Sequence, residues 1–381
     1  MVVDDEPDLQ LLIRQKFRKR IRAGEWTFHF AQNGFEALDQ LDQFPGISLI
    51  LTDINMPGMD GLTLLDRLSE RDGTFKAVVI SAYGDMSNIR TAMNRGAFDF
   101  ITKPVDFDDL EITVEKTLRE VGAFREALES QQALQVLQKE LAVAARIQEA
   151  FTPLKSLQTD RVDIQAFLEP AQEVGGDFFD FFRLDVHRIG LVIGDVSGKG
   201  VSAALFMAIT KTLLKAIAMD GRSPEACLTF VNTLLYPQSL AEVFVTTCYG
   251  IFDTSTGEFT YTTSGHYPPY ILRKDGTVEM LEPIRSVGLC MMKSFKFTAK
   301  TVTLQPGDGL FMNTDGLNEA TRADGEQFEE DRIEVALEAI IKPDTNASAA
   351  ARIQHVVDVV KAFTRGAPQS DDLTLLTLRY K

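Results

Sequence analysis

Residues 189–214 read IGLVIGDVSGKGVSAALFMAITKTLL. An apolar, strand-like run (IGLVI) meets a glycine-rich turn (GDVSGKG), and a helix-like stretch follows. Strand, glycine turn with lysine, and helix are the parts of a nucleotide phosphate loop. This turn is not one. Such a loop needs GxxxxGK followed by Ser or Thr, so that a hydroxyl reaches Mg²⁺. Here the spacer is one residue short and Gly200 follows Lys199. Asp195 would also set a negative charge against the phosphates. The stretch makes physical sense if Asp195 is a metal ligand and the glycines let backbone approach closely.

Partners for that ligand stand at other strand ends. Asp177 lies in EVGGDFFD, Asp315 in FMNTDGLNEA, and Asp371 and Asp372 in QSDDLTLLTL, each bordering an apolar run. Oxygen donors without His or Cys suit Mg²⁺ or Mn²⁺ rather than Zn²⁺. Around them, strand-like pieces pair across turns: FFDFFRLD with IGLVIGDV, FVTTCYGIFD with EFTYTTSG, YILRKD with TVEMLE, and FKFTAKTVTL with GLFMNTDG. These are hairpin signals. With helical stretches near 201–219, 224–236 and 347–363, they predict an α/β sandwich of two central antiparallel sheets over residues 151–381.

Residues 1–120 read differently. VVDD, TFHFA, SLILTDI, KAVVISA and FDFITKP alternate with helix-like stretches. That repeat predicts a five-stranded, doubly wound parallel sheet with a flavodoxin-like winding, whose ligand site lies at the carboxyl ends of the strands. Asp4 and Asp5, Asp53, Ser81 and Lys103 all fall at such ends. Carboxylates brought together there are tolerable if they hold a hard cation. Between the two domains, residues 121–150 form a helical connector. The apolar seam of residues 106–150 (Leu110, Val114, Leu118, Val121, Phe124, Leu128, then Leu134, Leu137, Leu141) has helical spacing, interrupted at Gln131 and Gln132. One helix or two, and a coiled-coil homodimer or packing of the helix end on its own domain, all fit that seam.

The chain has 381 residues, 45% apolar and 25% charged, with a formal net charge of −16. Acids outnumber bases in both halves, which excludes a phosphate-backbone binder, so no nucleic-acid partner is expected. The basic cluster Arg14, Lys16, Arg18, Lys19, Arg20 and Arg22 reads as the face of a first helix. No run approaches the ~20 apolar residues of a membrane helix, and MVVDDEPD carries no signal-peptide pattern. Cys227, Cys248 and Cys290 are widely spaced, which suits a reducing cytoplasm.

VVDDEP, LTDINMPGMDG, VVISA and ITKP, in this order, resemble the receiver domain of bacterial response regulators, the CheY-like family. The resemblance implies that Asp53 accepts a phosphoryl group from a sensor histidine kinase. Asp5, Asp53 and the Asn55 carbonyl would hold Mg²⁺ with Asp4 in support. Ser81 and Lys103 would bind phosphoryl oxygens, and Phe100 would be the aromatic switch. The family has more residues in strand 1 before VVDD, so a short first strand is expected here.

EVGGDFFD, GDVSGKGVSAAL, FVTTCYG, SGHYPP, TDGLNEA and DDLTLL resemble the metal-dependent PPM (type-2C) serine/threonine protein phosphatases, in particular their SpoIIE-like branch. ELAVAARIQEAFTP (140–153) resembles the helix leading into that branch's catalytic domain. The resemblance implies two Mn²⁺ or Mg²⁺ ions. Asp195 would bridge them with the Val196 carbonyl, Asp315 and Asp371 would complete the second, and Asp177 would sit on the first ion or its water. Asp372 is supporting. Ions of this kind lower the pKa of a water, which then attacks phosphoserine or phosphothreonine in line. His266 is a structural residue or a general acid for the leaving group. The branch further implies an anti-sigma-factor antagonist as the phosphoprotein substrate. The alternative to an enzyme is a phosphorylation-controlled adaptor without catalysis, which loss of the metal aspartates would mark; Asp177, Asp195, Asp315 and Asp371 are all present.

Overall fold

The computed structural model describes residues 1–71, 73–82, 85–151, 155–238 and 243–381. The chain divides into two compact units, Met1–Val136 and Leu137–Lys381. The first runs β1 (Val2–Val3), α1 (Pro7–Lys16), α2 (Arg18–Arg22), β2 (Phe30–Ala31), α3 (Gly34–Gln43), β3 (Leu49–Asp53), α4 (Gly61–Ser69), β4 (Lys76–Ala82), α5 (Met86–Asn94), β5 (Asp99–Lys103) and into α6 (Phe107–Phe151). The strands are parallel, in the order β2-β1-β3-β4-β5. Alternation explains the layering. Val2, Leu49, Leu51, Val78 and Ile80 face α1 and the start of α6. Val3, Ile50, Ala77 and Val79 face α3, α4 and α5. A sheet buried on both faces needs apolar residues on both, as LILT and AVVI supply. β1 is short, as expected, yet pairs on both sides.

The basic cluster falls on two helices, α1 and α2, rather than one, and half of it is committed within this unit. Lys16 pairs with Asp108, Arg20 with Glu111, Glu115 and Glu25, and Arg14 lies over the Phe30 ring. α6 is one continuous helix; Gln131 and Gln132 do not break it. Leu110, Val114 and Val121 are buried, whereas Phe124, Leu128, Leu134 and Leu137 are exposed.

The second unit continues with β6 (Ser156–Gln158), β7 (Val162–Glu169), β8 (Phe178–Arg183), β9 (Arg188–Val196), α7 (Val201–Ala218), α8 (Pro224–Leu235), β10 (Val245–Asp253), β11 (Glu258–Ser264), β12 (Tyr270–Leu272), β13 (Val278–Met280), β14 (Lys300–Thr303), β15 (Gly309–Asn313), α9 (Asp315–Asn318), α10 (Glu329–Ile341), α11 (Ala349–Thr364) and β16 (Leu373–Tyr380). Two antiparallel sheets, β14-β11-β10-β9-β8 and β13-β12-β15-β16-β7-β6, enclose a common core. Ile189, Leu191 and Ile193 of β9 point into it, while Val192 and Val196 pack under α7 and α8. On the other sheet, Leu376 and Leu378 of β16 point inward and Leu373 and Leu375 pack under α10 and α11. α7 is long and apolar enough to cross a membrane by length and composition, but Ala203, Met207, Leu214 and Ile217 are buried against the sheet.

Three of the four expected hairpins form. The fourth does not: β14 pairs with β11, and β15 pairs with β12 and β16 in the other sheet. The segment between them, read as a hairpin turn, is a crossing between layers. Leu304 is buried in the shared core, and Asp308 ties the crossing to the neighbouring turn by accepting the Lys274 and Gln305 N–H groups and pairing with Arg273.

Candidate functional site: two carboxylate clusters at strand ends

In the first unit, Asp53 ends β3 and Lys103 ends β5, so both project from the carboxyl edge of the sheet. Lys103 Nζ donates to Asp53 Oδ2 (2.6 Å), Asp4 Oδ2 (3.2 Å) and Glu6 Oε1 (3.1 Å). Burial opposes its charge, but the hydrogen bonds to Asp53 and Glu6 and the charges of Asp53 and Asp4 outweigh that and hold the ammonium above the ordinary lysine value. Burial pushes the Asp4 carboxyl up, against the pull of the Glu6 N–H and Lys103. Asn55 N–H faces Asp53 Oδ1 at 3.3 Å. Ser81 is fully buried, and its hydroxyl has no hydrogen-bond partner among the described residues. Phe100 is partly exposed on β5.

The structure does not bring Asp5 into this group. Asp5 is exposed, and Glu6, also exposed, joins Asp4 and Asp53: their ligating atoms lie within 4.8 Å of one another. Glu6 is the N-cap of α1, and its carboxylate accepts from Lys103. Three oxygens and an unpartnered hydroxyl fit a hard cation with a phosphoryl group beside it.

In the second unit, Asp195 stands one residue before the end of β9. Beyond it, Gly198 (φ 96°) and Gly200 (φ 78°) take left-handed conformations that a side chain disfavours, and they turn the chain into α7. Asp177 precedes β8, Asp315 opens α9, and Asp371 and Asp372 precede β16. These segments meet. Burial, then the charges of Asp315 and Asp371, push the Asp195 carboxyl up to about 7. Burial and then the Asp195 charge raise Asp177 well above the carboxylate range. Burial, Glu319 and Asp371 raise Asp315. So many carboxylates in a buried place destabilise one another unless a cation neutralises them.

Asp177 is held from behind: Thr314 and Thr374 each donate a hydroxyl to its Oδ2 at 2.6 Å. Asp372 is a brace, accepting the Ala171 N–H (2.8 Å) and the Asp177 N–H (3.3 Å). A Cβ on Gly176 would lie 2.6 Å from the Val196 carbonyl oxygen and 3.2 Å from Asp195 Oδ1. Glycine there leaves open a cradle of backbone and carboxylate oxygens, the donor set of a hard divalent ion. At the end of α6, Gln148 grips the same loop, donating to Gly175 O (2.8 Å) and accepting the Gly175 N–H (3.2 Å). Thr152 and Pro153, the last residues of ELAVAARIQEAFTP, lie outside the described residues.

His266 is buried, with Nδ1 3.0 Å from the hydroxyl of Thr246, which pairs with Asp195 across the ladder. Burial pushes its pKa down to about 4. A neutral imidazole at neutral pH is a poor general acid. The unfolded chain takes up a proton below its ordinary value of 6.5, whereas the native imidazole resists until about 4. Its contribution to stability is therefore complete above 6.5 and lost as pH falls toward 4. Between pH 7 and pH 5 this group should cost the wild type about 2 kcal/mol. His266→Gln should remove that part of the acid sensitivity in urea titrations at the two pH values; an unchanged difference would refute it.

Sequence reasoning missed Glu6, Thr314, Thr374, Gln148 and Gly176. Each adjoins a quoted motif or lies inside one, but which of them turns toward a carboxylate depends on loops meeting in space.

The chain matches the family described as Stage II sporulation protein E (SpoIIE) over residues 185–381, and the response regulator receiver domain over residues 1–115. It belongs to the SpoIIE family: it is a receiver domain fused to a PPM-type serine/threonine phosphatase domain. It is 30% identical over 271 residues to Protein IcfG of Synechocystis sp., covering 63% of this chain and 41% of that protein. It is 27% identical over 276 residues to phosphoserine phosphatase RsbU of Bacillus subtilis, covering 72% of this chain and 80% of RsbU. The SiaA-PP2C domain of Pseudomonas aeruginosa shares the fold, with a TM-score of 0.56 and 21% identity over 66% of this chain and 98% of that one.

Proposed function

We propose that this protein is a two-component response regulator whose output is the metal-dependent removal of phosphate from phosphoserine or phosphothreonine on a protein, under control of Asp53 phosphorylation. The observation that carries the reading is the mutual proximity of Asp177, Asp195, Asp315 and Asp371, felt in their raised carboxyls, with the Val196 carbonyl and Asp195 beside Gly176. Asp195, Asp315, Asp371 and Asp177, with the Val196 carbonyl, would hold two Mn²⁺ or Mg²⁺ ions, whose chemistry would be to activate water and neutralise phosphoryl charge. Thr314 and Thr374 orient Asp177, and Asp372 fixes the loop before it. In the receiver, Asp5, Asp53 and the Asn55 carbonyl would serve Mg²⁺ with Asp4 in support, and Glu6 offers a further oxygen beside Asp4 and Asp53. Lys103 and Ser81 take phosphoryl oxygens from a histidine kinase's donor, and Phe100 reports the change.

The substrate proposed is an anti-sigma-factor antagonist, in keeping with the likeness to RsbU, and the site of action is the cytoplasm. Receiver, connector and catalytic domain follow as residues 1–120, 121–150 and 151–381. The exposed apolar residues Phe124, Leu128, Leu134 and Leu137 support a homodimer through α6. Gln148 supports a route from that helix to the loop carrying Asp177. The test is phosphate release from a phosphoserine protein with Mn²⁺, with and without acetyl phosphate. Wild type should change rate with the phosphodonor. Asp53→Asn should give the same rate with and without it. A variant that still responds would break the proposed control.

A further inference from the structure

The lysine that gives GDVSGKG its likeness to a phosphate loop has no part in the metal cluster, yet it reaches it. Lys199 Nζ donates to the Ser370 carbonyl at 2.7 Å and lies 3.3 Å from Asp371 Oδ2. Among the described residues it is the one cation in an ion pair with Asp177, Asp195, Asp315, Asp371 or Asp372. Gly198 and Gly200, both left-handed, present it from a tight turn. An ammonium has three N–H donors. One is given to the Ser370 carbonyl, Asp371 lies within ion-pair distance, and the side chain remains 50% exposed. Lys199 is thus tethered beside the carboxylates with half its surface open to solvent.

A phosphomonoester dianion arriving here meets a field of acids. A cation with a free donor next to Asp371 gives a non-bridging phosphoryl oxygen a charge-assisted hydrogen bond. A flexible point charge also tolerates an oxygen that shifts during transfer. We propose that Lys199 is a substrate-orienting residue that binds the phosphoryl group of the phosphoserine or phosphothreonine substrate, an inference that rests on the phosphatase reading above.

The probe is inorganic phosphate, titrated calorimetrically into Mn²⁺-loaded full-length protein, with Mn²⁺ affinity measured separately by electron paramagnetic resonance. Lys199→Ala and Lys199→Gln should weaken phosphate binding about tenfold, raise KM more than they lower kcat, and leave Mn²⁺ affinity within about twofold. Lys199→Arg, which keeps the charge, should recover part of the loss. Unchanged phosphate affinity in both neutral variants would overturn the proposal. So would a fall in Mn²⁺ affinity as large as the fall in phosphate affinity, because Lys199 would then only hold Asp371 in place. Wild-type protein that binds Mn²⁺ and phosphate but releases none from phosphoprotein would count against the phosphatase reading, while the phosphate titrations would still decide the role of Lys199.

Discussion

Asp195→Asn is expected to lower Mn²⁺-dependent phosphate release from a phosphoserine protein by on the order of a thousandfold, since charge stabilisation worth several kcal/mol is lost. The same substitution should stabilise the metal-free protein. Without a cation, the Asp195 charge is opposed by burial and by Asp315 and Asp371, and it raises Asp177 in turn. An amide of the same shape removes that repulsion. Thermal unfolding with chelator should therefore occur a few degrees higher in the variant. Added Mn²⁺ should raise the wild-type midpoint, because an ion that binds only the native state stabilises it by mass action, and should raise the variant's by clearly less, the receiver's cation site being untouched. Loss of activity with the Mn²⁺ response intact would place the metals elsewhere.

Gly176→Ala carries the second large effect. Its new methyl would stand 2.6 Å from the Val196 oxygen and 3.2 Å from Asp195 Oδ1. The carbonyl cannot yield cheaply, because Val196 and Asp195 are paired with Val245 and Thr246 of β10. The methyl therefore occupies the cradle or displaces the Asp177 loop. Activity at a fixed, limiting Mn²⁺ concentration should fall about a hundredfold, with overpacking costing about 1–3 kcal/mol in stability. Higher Mn²⁺ should recover part of the rate. Wild-type activity at the same Mn²⁺ concentration would remove the Val196 carbonyl from the metal site.

Much of this was legible in the sequence because it is written in local signals. The short continuous apolar runs in LILTD and AVVIS, helical stretches between the strands, and acids at strand ends announced a doubly wound sheet and its active edge. The P-loop likeness of GDVSGKG failed on spacing alone. What was not legible is equally physical. Asp5 and Glu6 are both acids after β1, and only the tertiary structure sets Glu6 beside Asp4 and Asp53. QPGD has the chemistry of a hairpin turn, yet Leu304 finds more apolar partners by staying in the shared core as the chain changes sheets.

The sequence by itself determined the two domains' fold classes, the oxygen-only donor set and the absence of a phosphate loop, since each follows from residue type and short-range spacing. Only the tertiary structure decided which side chains touch: Thr314 and Thr374 on Asp177, Asp372 on the backbone of Ala171 and Asp177, Gln148 on Gly175, and Lys199 on Ser370 and Asp371. Those contacts join segments more than twenty residues apart, and no local preference encodes them. They exist because burying both faces of two sheets leaves one way for the loops at their ends to meet.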